Sequence, residues 1–174
     1  MQLHHNQNSN ATAFCCHVSQ LHMLNSQVII APLTTEDVFC VRQLLVDGLT
    51  ERWGRYEAHY NPDIETLPQC YQNSIFLVAK NSGQVVGTGV LRPIGSDRGE
   101  ICRMSVAASH RRLGIGSLIL SHLLDVAHEM GMREVCLETS SCWQSAVQFY
   151  LRQGFRLTHV GGGNSYFSYI LRTG

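Results

Sequence analysis

Apolar residues along this chain recur at two periods, and the switches between them mark out eleven elements. A short strand, Val28-Ile29-Ile30, opens the pattern. Thr34 or Thr35 can cap a helix that continues through Val38, Val41, Leu44 and Leu45 toward Gly48 or beyond. Asn61-Pro62-Asp63 breaks the chain, and a second short helix is expected near residues 66–72. Strand-like runs at 75–79 and 84–91 flank Asn81-Ser82-Gly83, which reads as a hairpin turn; Gly95-Ser96-Asp97 makes a second turn into a strand over 100–106. Ile115, Leu118, Ile119, Leu123, Val126, Ala127 and Met130 then recur at helical spacing. A strand over 133–138, a helix over 143–152, and strands over 155–160 and 166–171 joined by Gly161-Gly162-Gly163 complete the order β-α-α-β-β-β-α-β-α-β-β. No internal repeat interrupts it.

Composition narrows the class. A chain of 174 residues suits one domain, burying roughly 70% of its unfolded surface. Thirteen basic residues balance thirteen acidic ones, so a broad field for nucleic acid or membrane is not expected and any anion must be bound by local charge. There is no run of eighteen apolar residues and no basic stretch leading into an apolar core at the start of the sequence, so the expected location is cytoplasmic. Residues 1–26 are rich in Gln, Asn and His and read as a flexible extension ahead of a domain over 27–174. His4, His5, Cys15, Cys16, His17 and His22 lack the paired Cys-x-x-Cys spacing of a zinc site, so no metal is expected. Cys40, Cys70, Cys102, Cys136 and Cys142, scattered through the predicted elements, read mostly as small buried hydrophobes.

The strand over 100–106 meets the long helix through Arg111-Arg112-Leu113-Gly114-Ile115-Gly116. A glycine loop there delivers first-turn N–H groups, which have no intrahelical partner, at the positive end of the helix dipole, an arrangement that holds phosphate. Gly114 and Gly116 remove Cβ atoms that would obstruct approach or forbid unusual φ. A dinucleotide fingerprint needs glycine where Ile119 stands, and a P-loop needs lysine where Ser117 stands. The pattern that remains, Arg/Gln-x-x-Gly-x-Gly/Ala between strand and helix, resembles the acyl-CoA pyrophosphate motif of the GNAT superfamily of N-acetyltransferases. Taken alone, the loop is equally a basic turn capping an ordinary helix. Farther on, Leu137-Glu138-Thr139 closes a strand and precedes Ala146-Val147-Gln148-Phe149-Tyr150-Leu151-Arg152-Gln153-Gly154-Phe155, which resembles the superfamily's second signature. Two motifs in order carry the resemblance over residues 28–173.

The resemblance implies an α/β (α+β) GNAT fold: a mixed, mostly antiparallel twisted sheet of about seven strands with helices on both faces. It implies acetyl-CoA as co-substrate, with the strands at 100–106 and 133–138 splayed so that pantetheine enters between them. Unpaired backbone of Met104, Ser105 and Val106 would then meet the pantetheine amides, since buried polar groups need partners. Residues 111–116 would take the pyrophosphate, with Ser117 adding a hydroxyl; Arg111 and Arg112 are otherwise a solvated pair. Many relatives carry asparagine where this chain has Trp143, whose indole can line the pocket instead.

Transfer to a primary amine of a small molecule or peptide needs a base, an oxyanion donor and an acid. The amine, with a pKa near 10, must first lose a proton. Glu138 matches the strand-end acceptor of ribosomal-protein N-terminal acetyltransferases and Glu100 a position used by other members; Glu138 is also placed to cap the following helix. A backbone N–H near Met104 or Ser105 is the oxyanion donor. Tyr150, four residues before Gly154, stands where the family places its acid, or packs against the cofactor through its ring. The resemblance places residues 49–60 and the final hairpin at the acceptor side; within the first, Glu51, Arg52, Trp53, Arg55 and Tyr56 form a cluster in which an arginine can clamp a carboxylate, or else a helix end with surface charges and a packed Trp53. Three alternatives stay open: a covalent acetyl-cysteine route through Cys142 or Cys136, a non-catalytic acyl-CoA-binding module, and, since family members often dimerise, a homodimer.

Overall fold

Turn chemistry and alternation fix seven strands: β1 (Val28–Pro32), β2 (Ile75–Asn81), β3 (Gln84–Pro93), β4 (Arg98–Val106), β5 (Glu134–Ser140), β6 (Arg156–Gly161) and β7 (Asn164–Ile170). The structure, a computed structural model, describes residues 28–171. The expected extension over 1–26 and its histidines and cysteines lie outside the described residues. The strands form one sheet in the order β1-β2-β3-β4-β5-β7-β6. Every neighbouring pair is antiparallel except β4 and β5, which run parallel. Ser82 and Gly83 both take positive φ, 50° and 82°, as a two-residue hairpin turn requires.

Four helices accompany the sheet: α1 (Val38–Trp53), α2 (Pro62–Glu65), α3 (Ile115–Glu129) and α4 (Gln144–Arg152). The element order is the expected one. One position shifts: the second helix lies at 62–65, with only a 3₁₀ turn at Gln69–Tyr71 where a helix over 66–72 was expected. Pro62 does not end a segment but starts one, because its fixed φ and missing N–H suit the first helical turn.

Alternation along β2 sends Leu77 and Ala79 to one face and Phe76 and Val78 to the other, and each face carries its own core. On the first, Ile115, Ile119, Leu120, Leu123 and Ala127 of α3 pack with Leu91, Val135 and Phe167. On the second, Val41 and Leu45 of α1 pack with Ile64, Leu67, Tyr71 and Val90. The cysteines correct the sequence reading: Cys40, Cys70 and Cys142 are exposed and Cys102 and Cys136 half-buried, all as free thiols. Cys40 adjoins Val41, the inward position of α1, and one residue of helix turns a side chain by about 100°.

Helix α3 lies close on β3 because Gly89 presents no side chain. A Cβ there would come within 2.6 Å of Met104 Sδ, 2.7 Å of Ile119 Cγ2 and 2.9 Å of Leu123 Cδ1. Gly89→Ala is expected to lower stability by about 1–3 kcal/mol, read as a fall in denaturant midpoint at unchanged slope.

Candidate active site

The central feature is where β4 and β5 stop pairing. Their parallel register holds for Arg98↔Glu134, Gly99↔Val135 and Glu100↔Cys136 only, although β4 runs on to Val106 and β5 to Ser140. Residues 101–106 therefore face β5 with backbone groups that this neighbour does not satisfy. On the other side, the register between β3 and β4 shifts between Thr88 and Val90, and Arg103 takes φ 51°. That is a β-bulge, which bends the strand that carries it.

At the end of β4 the chain passes through a 3₁₀ turn at Ala108–His110 and reaches Gly114, whose φ of 82° requires glycine. The first bond of α3 runs from the Leu118 N–H to the Gly114 carbonyl at 3.0 Å. The N–H groups of Ile115, Gly116 and Ser117 precede it, and no side chain caps them. A Cβ on Gly116 would lie no closer than 3.5 Å to Phe149 and 3.8 Å to Val106, so internal packing does not demand glycine there. A cleft of about 390 Å³ borders this helix start at Gly114, Ile115 and Ser117. Unpaired strand backbone, free helix donors and a missing Cβ suit the pantetheine and pyrophosphate of coenzyme A.

The two arginines of the loop differ. Arg111 donates from Nη1 and Nη2 to the Glu51 carboxylate at 2.5 and 2.6 Å, and from Nε to the Val106 carbonyl at 2.9 Å. The guanidinium holds Glu51 below its ordinary carboxylate range. Arg112 forms no ion pair among the described residues. Trp143 stands at the N-cap of α4, with its indole Nε1–H buried and without a partner among the described residues. Trp53 meets its ring at a centroid distance of 5.1 Å, and the Arg52 guanidinium lies 4.5 Å from its centroid. The end of α1 thus packs against the start of α4 through Trp53 and Arg52. Arg55 is paired with Glu57 at 2.6 Å and the Tyr56 hydroxyl donates to Glu65 at 2.7 Å.

Tyr150 is buried among Phe149, Phe155 and Phe167, with ring centroids 5.1, 5.8 and 6.0 Å away. Its hydroxyl makes no hydrogen bond with the described residues. Burial drives its pKa upward, so the phenol stays protonated through the neutral range. Behind the opposite face of β5 is a cleft of about 320 Å³, lined by Arg98 and Glu100 of β4, Glu134, Cys136 and Glu138 of β5, His159 of β6 and Tyr166 of β7. Glu138 is exposed and makes no ion pair or hydrogen bond among the described residues, so it does not cap α4. Glu100 receives Arg92 Nε at 3.0 Å, with Nη2 closer still on the same oxygen. The imidazole of His159 stacks on Tyr166 at 4.2 Å and 5°.

Sequence reasoning put the final hairpin at the acceptor side but did not single out His159 and Tyr166, which enter the cleft because β7 pairs with β5 and β6 with β7. It also missed a polar clamp beneath the bulge. Arg103 donates from Nε and Nη2 to Asp63 at 2.7 and 2.6 Å, and from Nη1 to Asn61 Oδ1 at 3.1 Å; the Tyr71 hydroxyl also donates to Asp63. One signal was available: Arg103 interrupts the strand's alternation with a charge. Burial raises the Asp63 pKa, but the guanidinium and the hydroxyl outweigh it and leave the carboxyl below its ordinary value. A lowered native pKa stabilises the fold at pH above the unfolded carboxyl's value, about 3.9, and that contribution is lost as pH falls through the native value. Asp63→Asn is expected to flatten the fall in melting temperature below about pH 4.

The chain matches the model of the acetyltransferase (GNAT) family over residues 40–155 and belongs to that family. Among its relatives, the probable N-acetyltransferase camello of Xenopus tropicalis is 36% identical over 100 residues, 56% of this chain and 46% of the relative. N-acetyltransferase 8 of Mus musculus is 36% identical over 115 residues, 61% of this chain and 51% of the relative. The chain spans about half the length of these relatives. In fold it is similar to a GNAT acetyltransferase of Staphylococcus aureus, with TM-score 0.74, 20% identity, and coverage of 83% of this chain and 99% of that one. It is similar also to the PaiA N-acetyltransferase of Thermoplasma acidophilum, solved in complex with coenzyme A, with TM-score 0.73, 18% identity and the same coverage.

Proposed function

We propose that residues 27–174 form an acetyl-CoA-dependent N-acetyltransferase domain that moves the acetyl group directly to a primary amine of a small molecule or peptide. The observation that carries this reading is the gap between β4 and β5 beyond Glu100 and Cys136, with uncapped donors of α3 beside it. Family membership and the coenzyme A complex of the Thermoplasma relative support it. When bound, acetyl-CoA supplies an acetyl group activated as its thioester. The backbone of Met104, Ser105 and Val106 holds the pantetheine arm, and a Met104 or Ser105 N–H stabilises developing negative charge. The N–H groups of Ile115, Gly116 and Ser117 take the pyrophosphate with Arg112, while Arg111 fixes the loop to α1 through Glu51. Leu113 and Gly114 shape the loop, and the Trp143 indole lines the pocket.

Glu138 accepts the amine's proton in this reading. Neither of its oxygens has a partner among the described residues, whereas Arg92 holds one oxygen of Glu100. The carboxylates lining the cleft attract an alkylammonium to that position. Tyr150, kept neutral by burial, protonates the leaving sulfur. Cys136 lines the same cleft, but burial raises its thiol pKa, which keeps it protonated and weakens it as a nucleophile. Direct transfer is therefore favoured over an acetyl-cysteine at Cys136.

Calorimetry with coenzyme A tests the reading, and Gly116→Ala sharpens it. Alanine improves helix propensity by up to about 1 kcal/mol and meets no clash. The fold should be as stable or more so while coenzyme A affinity falls by ~10-fold or more, because a methyl group displaces the phosphate from the helix donors. Equal affinity in wild type and variant would remove the pyrophosphate from this loop.

A further inference from the structure

The bulge in β4 places a residue with a Cβ in the left-handed region, a conformation that needs outside support. Arg103 has φ 51°, and its support comes from both ends. The Thr88 hydroxyl, fully buried, donates to its carbonyl at 2.9 Å. Its guanidinium is gripped by Asp63 through two bonds and by Asn61 through a third. Both acceptors sit at the start of α2, on the second core, and Tyr71 steadies Asp63 from the adjoining 3₁₀ turn. The next residues, Met104, Ser105 and Val106, are the backbone unpaired toward β5.

We infer that Asp63 is a positioning residue: acting through Arg103, it holds the β4 bulge and thereby presents the Met104-Ser105-Val106 backbone to the ligand in the gap. The inference rests on the proposed coenzyme A site for its consequence, but the clamp can be tested without any ligand. A hydrogen bond to a charged group is among the stronger polar contacts, and two converge on one side chain here.

The experiment is residue-level amide exchange on the ligand-free protein, paired with coenzyme A titration. In Asp63→Asn the amides that bond the end of β4 to β3, Ala107 on the Val86 carbonyl among them, should exchange faster by ~10-fold or more while those of β2 are unchanged, and coenzyme A affinity should fall by ~10-fold. Tyr71→Phe, which keeps the ring in the core, should raise the same exchange rates by about 3-fold. The double variant Asp63→Asn with Arg103→Gly is the rescue: glycine adopts the left-handed conformation without a clamp, so exchange and affinity should return to within about 3-fold of wild type. Unchanged exchange at those β3-bonded amides in Asp63→Asn overturns the inference. So does an increase spread evenly over the sheet, or a double variant no better than the single one. Wild-type protein that binds no coenzyme A refutes the proposed function instead, and the exchange data still decide the clamp.

Discussion

Tyr150→Phe should lower turnover by ~10²-fold or more while leaving coenzyme A affinity within about 2-fold of wild type. The two effects separate because the ring and the hydroxyl do different work. The ring fills a pocket against Phe155 and Phe167, and phenylalanine keeps that packing. The hydroxyl makes no hydrogen bond with the described residues, so its loss breaks no contact and the melting temperature should hold or rise. What disappears is a proton donor that burial keeps neutral. Because the pKa is pushed upward, the wild-type rate should show no alkaline fall from tyrosine ionisation below about pH 10, the ordinary phenol value. Steady-state kinetics with a thiol-release assay, alongside calorimetry, reads both halves. A variant that turns over like wild type would leave Tyr150 as packing and return weight to a non-catalytic acyl-CoA-binding module.

Glu138→Gln should reduce turnover by ~10²-fold or more, and Glu100→Gln by clearly less. The substitution keeps shape and removes the ability to accept a proton. Glu138 is exposed and without an ion pair among the described residues, so its replacement should change stability by no more than about 0.5 kcal/mol. Glu100 is different: Arg92 holds it through two donors, and its loss leaves that guanidinium without its carboxylate. Both side chains line one cleft, so a reversed ranking is the informative contrary result and would assign the base to Glu100. The assay needs an acceptor that turns over. Thiol release across amino acids, polyamines, aminoglycosides and peptide N-termini supplies one.

Much of the architecture was legible in the chain. Alternation in β2 and β3, the Ser82-Gly83 turn and the three-four spacing of α3 are local patterns, each decided within a few residues. The Gly114 loop was legible for the same reason: strand, glycine and helix start are contiguous in sequence, and the observed φ of 82° is what the glycine was for. At Pro62 the local signal was present but ambiguous, since proline both stops a helix and starts one.

The sequence by itself determined the order of elements, the two faces of the sheet and the glycine-bearing loop, because propensity, period and turn chemistry act over short stretches. Tertiary structure decided which side chains meet. Arg103 and Asp63 are 40 residues apart and Arg111 and Glu51 are 60 apart, and no local pattern links such positions. It also decided that β4 and β5 part after Glu100 and Cys136, that Arg92 holds Glu100 while Glu138 has no partner among the described residues, and that Trp143 meets α1. Those facts follow from how strands distant in sequence register and from where helices settle on the sheet, and packing of the whole chain fixes both.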